Sequence, residues 1–255
     1  MDLGYTVAGL AVGFIVGLTG VGGGSLMTPI LLWFGISPAT AVGTDLLYAA
    51  LTKAGGVVVH HRQRQIDWRI AGYLALGSVP ASLLTLALLA SLPIPARAMD
   101  ALFKLVLGVA LILTATAILF KPQLLKLLGP RLQRAAGPQR ALPTVLVGAV
   151  LGFLVTLSSI GAGALGTLAL FLLYPALATN RLVGTEIAHA VPLTLVAGLG
   201  HAGMGHLDWL LLFKLLAGSL PGIWLGSRLS GRLAESWLRP TLAVMLGVIG
   251  GKLVF

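Results

Sequence analysis

The sequence contains no cysteine and very little charge: of its 255 residues only 9% are Asp, Glu, Lys or Arg. The missing cysteine excludes a disulfide framework, a thiolate nucleophile and any cysteine-based metal site. The missing charge excludes an ordinary soluble domain, which carries about 25% charged residues. Acids are the scarcest, 7 against 17 Lys and Arg, for a formal net charge of +10. In a soluble protein that balance would suggest nucleic acid. In a chain this apolar the basic residues belong in cytoplasmic loops, so no nucleic-acid partner is expected. The same excess favours anionic substrates. There is no Ser-His-Asp elbow, no HExxH and no pair of acids on one helix face. An enzyme is not expected, nor a metal or cofactor.

What the sequence does have is hydrocarbon. Hydrophobic residues make up 57% of it and the mean hydropathy is +0.99. Repeated long apolar runs mark an integral, multi-span protein whose partner is the lipid bilayer. The first run begins without a cationic segment (Met1, Asp2) and closes on no small-residue cleavage site, so it reads as a retained span rather than a signal peptide.

The apolar elements fall into two sets of four. The first set is 5–34, 38–60, 69–90 and 98–120. A basic linker, 121–143, follows with Lys121, Lys126, Arg131, Arg134, Arg140 and no acid. The second set is 144–173, 179–200, 209–229 and 237–255. The halves match in sequence. Gly13-Phe14 pairs with Gly152-Phe153, "GVGGGS" (20–25) with "SIGAGA" (159–164), and "AVGTD" (41–45) with "LVGTE" (182–186). His60 falls opposite His201, Asp67-Trp68 opposite Asp208-Trp209, and "GSVP" (77–80) opposite "GSLP" (218–221). From Val42 to Pro80 a single offset of 141 holds without a gap. This is an internal duplication.

Charge sets its orientation. Arg62, Arg64 and Arg69 and the 121–143 linker read as cytoplasmic, as do Arg228, Arg232 and Arg239, whereas 201–208 has no Lys or Arg. One parity satisfies this: each glycine-broken element enters and leaves on the same side. Its arms in the first half, Tyr5–Thr19 and Ser25–Phe34, have 15 and 10 residues, against roughly 20 for a crossing. The expected fold is an all-α polytopic membrane protein. Each half is a glycine-broken re-entrant helix hairpin plus three transmembrane helices, the second half is inverted, and both termini lie outside. Such inverted repeats with broken helices are a recurrent transporter architecture whose site sits near the midplane.

The glycines locate that site. Five of the eight residues from Gly17 to Gly24 are glycine, at hydrophobic depth, where irregular backbone survives only if buried in protein or bathed by water. No strand precedes them and no Gly-Lys-Ser/Thr follows, so they are not a nucleotide loop. Two hairpin tips would meet near the centre, one offering Gly22, Gly23, Gly24 and Ser25, the other Ser158, Ser159, Gly161 and Gly163. Inward backbone N–H groups at a helix start make an anion site. The competing role for the glycines is close helix packing.

Polar residues within the spans add to this. Asp45 and Glu186 occupy equivalent repeat positions, each after Gly-Thr. An intramembrane acid is costly unless protonated or paired, which suggests proton coupling; the alternative is a helix-end role near the interface. His189 shares a helix face with Glu186 as a candidate proton-sensitive partner. Lys53 is read as snorkelling to the interface, or else as balancing an anion. His60, His61, His201 and His206 are expected to be solvated at helix ends. Asp67-Trp68 and Asp208-Trp209 are read as N-cap plus aromatic belt, and Pro80 and Pro221 as kinks.

The stretch "GFIVGLTGVGGGSLMTPILLWFGISPATAVGTDLL", its echo at 152–187 and the DW and GSxP pairs resemble the TauE/SafE sulfite-exporter family of membrane anion transporters. The resemblance covers nearly the whole chain. It implies a multi-pass protein of the bacterial cytoplasmic membrane, a secondary transporter of sulfite, sulfoacetate or related organosulfonates, often outward. A passive anion channel of the same architecture is the alternative.

Overall fold

The structure is a computed structural model that describes residues 2–19, 24–93, 95–136, 140–229 and 235–254. The described residues are helical, with no strand. In chain order the helices are α1 (Asp2–Thr19), α2 (Gly24–Trp33), α3 (Pro38–Arg62), α4 (Trp68–Ser91), α5 (Ala96–Leu119), α6 (Lys121–Ala136), α7 (Ala141–Ser158), α8 (Ala164–Leu173), α9 (Thr179–Gly203), α10 (Trp209–Leu229) and α11 (Glu235–Val254). Among the described residues, six helices are long and apolar enough to cross a membrane: α3, α4, α5, α7, α9 and α10. One of these departs from the sequence reading. At 18 residues α7 is about 27 Å long at 1.5 Å per residue, nearly a crossing in itself. The 121–143 linker also differs: its first sixteen residues form α6, running on through Pro130.

The caps explain where helices begin and end. Asp67 accepts the Ile70 N–H at 3.3 Å and Asp208 the Leu211 N–H at 2.9 Å, so both Asp-Trp pairs cap helices as read, and Trp68 and Trp209 are exposed beside them. Helices α3 and α9 end in the same turn. Gln65 N–H bonds the His60 carbonyl and His206 N–H the His201 carbonyl, each at 2.9 Å. That turn needs a left-handed residue, Gly205 at φ 78° in one half and Arg64 at φ 55° in the other. Both α4 and α10 continue past Pro80 and Pro221.

Glycine brings backbones together. At Gly13 of α1 a Cβ would lie 2.7 Å from Ser219 Cα of α10, and at Gly152 of α7 it would lie 2.8 Å from Ser78 Cα of α4. Within hydrocarbon, helix association rests on such close approach. The register shows direction. Gly9 lies against Leu215 and Gly13 against Ser219; Gly148 lies against Leu74 and Gly152 against Ser78. So α1 runs parallel to α10, and α7 parallel to α4. The innermost pair, α3 and α9, runs antiparallel. Gly43 near the start of α3 meets His201 and His206, and Gly184 near the start of α9 meets His60 and Gln65. Two reciprocal bonds join the same ends: Asp67 N–H to Thr185 Oγ1 at 2.9 Å and Asp208 N–H to Thr44 Oγ1 at 3.3 Å. Helices α5 and α11 also run antiparallel, Gly108 meeting Leu253 and Gly247 meeting Ala115.

The two ends of each broken element lie side by side. The Tyr5 and Phe34 rings meet edge to face at 5.3 Å. In the second half, Arg140 donates to the Leu173 carbonyl at 2.7 Å, and the Thr144 and Tyr174 hydroxyls bond at 2.7 Å.

Candidate functional site: a buried lysine between two carboxyls

The antiparallel pair α3/α9 presents its polar residues inward. Asp45 and Glu186 are fully buried in protein, deeper than a helix-end role at the interface requires. Asp45 Oδ2 accepts from the Thr28 backbone N–H at 3.2 Å and from the Thr28 hydroxyl, tying α3 to α2. Ser159, at the second tip, flanks the same carboxyl. Asp45 therefore contacts both broken elements. Glu186 lies over α8: a Cβ at Gly166 would stand 3.1 Å from its Cγ and 3.2 Å from its Oε1. The longer acid fits because the repeat partner of Met27 is a glycine.

Lys53 does not snorkel. It is only 5% exposed, and its ammonium donates to the Ala162 carbonyl in the second tip. It lies within electrostatic reach of Asp45, Glu186 and His189. Yet among the described residues no carboxylate oxygen stands within 4.0 Å of the ammonium. A cation buried against one neutral carbonyl lacks a direct counter-charge, an arrangement that costs several kcal/mol unless compensated. Three groups in its electrostatic reach carry a buried polar atom with no hydrogen-bond partner among the described residues, Asp45 Oδ1, Glu186 Oε1 and His189 Nδ1, and so does Ser159, through Oγ, beside Asp45. Native interiors leave few such groups. Such a cluster beside a buried ammonium has room in its hydrogen bonding for an anion or for water.

The second tip closes on itself. Ser159 takes the left-handed region at φ 57° and ends α7, and Gly161 at φ 117° occupies backbone that a side chain would strain. Gly163 and Gly166 N–H groups both bond the Gly161 carbonyl, at 2.8 and 3.0 Å. Ser158 spends its hydroxyl on the Leu154 and Ile160 carbonyls at 2.6 and 3.2 Å. The tip thus aims the Ser159 hydroxyl and the Ala162 carbonyl at the centre, while Gly163 and Ser158 hold its shape. Of the first tip, Gly22, Gly23 and the Ser25 side chain lie outside the described residues, and Gly24 opens α2.

Residues 5–253 match the family described as sulfite exporter TauE/SafE. The chain belongs to that family. The probable membrane transporter protein YjnA of Bacillus subtilis is 40% identical to it over 255 residues, the whole of both chains. YdhB of the same organism, also named a probable membrane transporter protein, is 29% identical over 252 residues, 95% of this chain and 96% of its own. A probable membrane transporter protein of Haemophilus influenzae is 27% identical over 266 residues, all of this chain and 97% of its own. No solved structure matches the chain. It is a multi-pass membrane transporter.

This TauE/SafE protein builds its centre partly from residues that the sequence did not single out. His189 does not pair with Glu186; its Nε2 bonds the Ser78 hydroxyl at 2.8 Å. The equivalent Tyr48 sits next to Ser219. These serines are the Ser of each GSxP motif, so the repeat alignment held the signal. Thr28 gave none, because a lone threonine in an apolar helix usually bonds its own backbone. His201 is a correction: it is fully buried, and its Nε2 bonds the Thr156 carbonyl at 2.8 Å. His60 is half-buried and bonds Gln65 Oε1 at 2.8 Å.

Proposed function

We propose that this protein is a proton-coupled secondary transporter of small sulfur-containing anions, sulfite, sulfoacetate or a related organosulfonate, in the exporting direction. The observation that carries the reading is Lys53, buried without a direct counter-ion among unpartnered polar groups. A sulfonate or sulfite oxygen at the ammonium would supply the missing charge, with the Ser159 hydroxyl of the same tip as a neutral donor. The sulfur class rests on the family description alone.

The same geometry suggests how coupling arises. Lys53 stands within reach of two carboxyls. An acid at this depth persists either paired or protonated. An anion that takes the lysine would change the carboxylates' affinity for a proton, so the two loads would be linked through one charge. Glu186, with no hydrogen-bond partner for Oε1, is the better proton carrier; Asp45 is held by Thr28.

Inverted repeats with broken helices recur among transporters that work by alternating access. The antiparallel packing of α3 on α9 and α5 on α11 supports an inverted repeat, and the adjacent ends of each broken element support re-entrant hairpins. Positive charge on 60–69 and 121–143 supports a cytoplasmic linker with both termini outside, in a bacterial inner membrane. Proteoliposomes test the function. Under an imposed pH gradient the protein is expected to concentrate labelled sulfite or sulfoacetate above its equilibrium level. Equilibration without accumulation would instead identify a passive anion channel.

A further inference from the structure

Away from the centre, a cavity of about 500 Å³ opens at the basic end of the molecule, lined by Asp67, Arg69, Ile70, Tyr73, Arg140 and Tyr174. It lies where α4 and α7, running side by side, both begin, next to the end of α8. Its one acid is already engaged: Asp67 Oδ2 pairs with Arg181 at 3.1 Å and Oδ1 caps α4. Its two arginines are positioned rather than neutralised. Arg69 donates through Nε to the Tyr73 hydroxyl at 3.0 Å, and Arg140 through Nη1 to the Leu173 carbonyl at 2.7 Å. Each guanidinium also sits near an aromatic ring, Arg69 at 5.8 Å from Tyr73 and Arg140 at 5.6 Å from Tyr174. Both keep further N–H donors for a ligand, and neither meets a carboxylate within 4.0 Å among the described residues.

The repeat shows that this is not a by-product of symmetry. At the equivalent end of the other half, Asp208 and Trp209 are retained, but Leu210 and Lys214 stand where Arg69 and Tyr73 do. The fold needs the Asp-Trp cap twice; it does not need the arginine-tyrosine pair. Two fixed guanidinium forks over one cavity match a tetrahedral oxyanion, which they can grip through paired N–H bonds.

We propose that this cavity binds a phosphate- or sulfonate-type oxyanion, separately from the central site. Such a group has two sources at this face: the headgroup of an anionic phospholipid, or a free anion in solution. The proposal does not depend on the transport reading, and its test needs no transport.

The thermal stability of the purified protein is measured against titrations of short-chain phosphatidylglycerol, inorganic phosphate and, as a zwitterionic control, short-chain phosphatidylcholine. Phosphatidylglycerol or phosphate is expected to raise the melting temperature, and phosphatidylcholine is not. Stabilisation by phosphatidylglycerol alone assigns the site to lipid; stabilisation by phosphate as well assigns it to the free anion. Arg69 is exposed, so Arg69→Gln should fold, and it is expected to need about tenfold more ligand for the same shift, the loss of one charged hydrogen-bond pair. Arg69→Lys, which keeps charge but not the fork, should fall between, and Lys53→Met at the centre should respond like the wild type. No stabilisation by either anion, or an Arg69→Gln titration that overlays the wild type, would overturn the proposal.

Discussion

In the proposed mechanism, Lys53 is the residue on which the chemistry turns. A lysine chain can reach water from well inside a helix, and this one instead ends on the Ala162 carbonyl with almost no exposure. Its repeat counterpart is Thr194, whose hydroxyl bonds its own helix at Ala190, so the charge belongs to one half only. Replacing it should remove anion binding without emptying the fold, since methionine has similar bulk and leaves no buried charge. Lys53→Met is expected to weaken sulfite or sulfoacetate binding by roughly tenfold to a hundredfold, the worth of a charged hydrogen bond of about 1.5–3 kcal/mol. Isothermal titration of purified protein measures this; an unchanged affinity would move the site elsewhere. At this scale the sequence was only half legible. Asp45, Glu186 and Lys53 stand out because charge is rare in apolar helices. Ser78, Tyr48 and Thr28 do not, because hydroxyls in such helices mostly serve the local backbone.

Among the elements, the glycines separate into two kinds. Gly13 and Gly152 let α1 meet α10 and α7 meet α4 across backbone that leaves no room for a methyl group. Gly161 instead shapes a turn at φ 117°. The sequence offered packing and ligand approach as rival explanations for glycine, and different positions answer to each. Gly152→Val is expected to destabilise the protein by several kcal/mol, since overpacking that a backbone cannot relieve lies at the upper end of the usual range of about 1–3 kcal/mol. The loss should appear as a lower melting temperature and lower yield of folded protein. A normal melting temperature would show that α4 and α7 can separate without cost. Element boundaries followed the apolar runs closely, and the Asp-Trp caps were readable from chemistry alone. The linker helix α6 was not, because Gly129-Pro130 and its low apolar content mimic a loop. Nor was the turn after α3, where Arg64 does what Gly205 does in the other half.

For the whole molecule, the offset of 141 residues made the duplication visible, whereas the mutual direction of the halves depended on a few arginines. The antiparallel meeting of α3 and α9, and of α5 and α11, now supports the inverted arrangement from packing, independently of charge. The wild type has no cysteine, so single-cysteine labelling in intact cells is free of background. A cysteine at Asp2 is expected to react with an impermeant reagent from outside, and one at Gln139 in the linker only after permeabilisation. Equal behaviour of the two positions would rule out the inversion, and labelling of both from outside would also rule out a cytoplasmic linker.

In the proposed mechanism one buried lysine serves the anion while a neighbouring carboxyl serves the proton. Proteoliposomes carrying Glu186→Gln, which keeps the shape of the side chain and removes its charge, separate these roles. With a pH gradient imposed, the wild type should accumulate labelled substrate and the variant should not. Both should exchange substrate across the membrane at similar rates when no gradient is present, and Asp45→Asn should show a milder loss of accumulation. Gradient-driven accumulation that survives intact in Glu186→Gln would contradict the account, leaving that carboxyl as a structural group above Gly166.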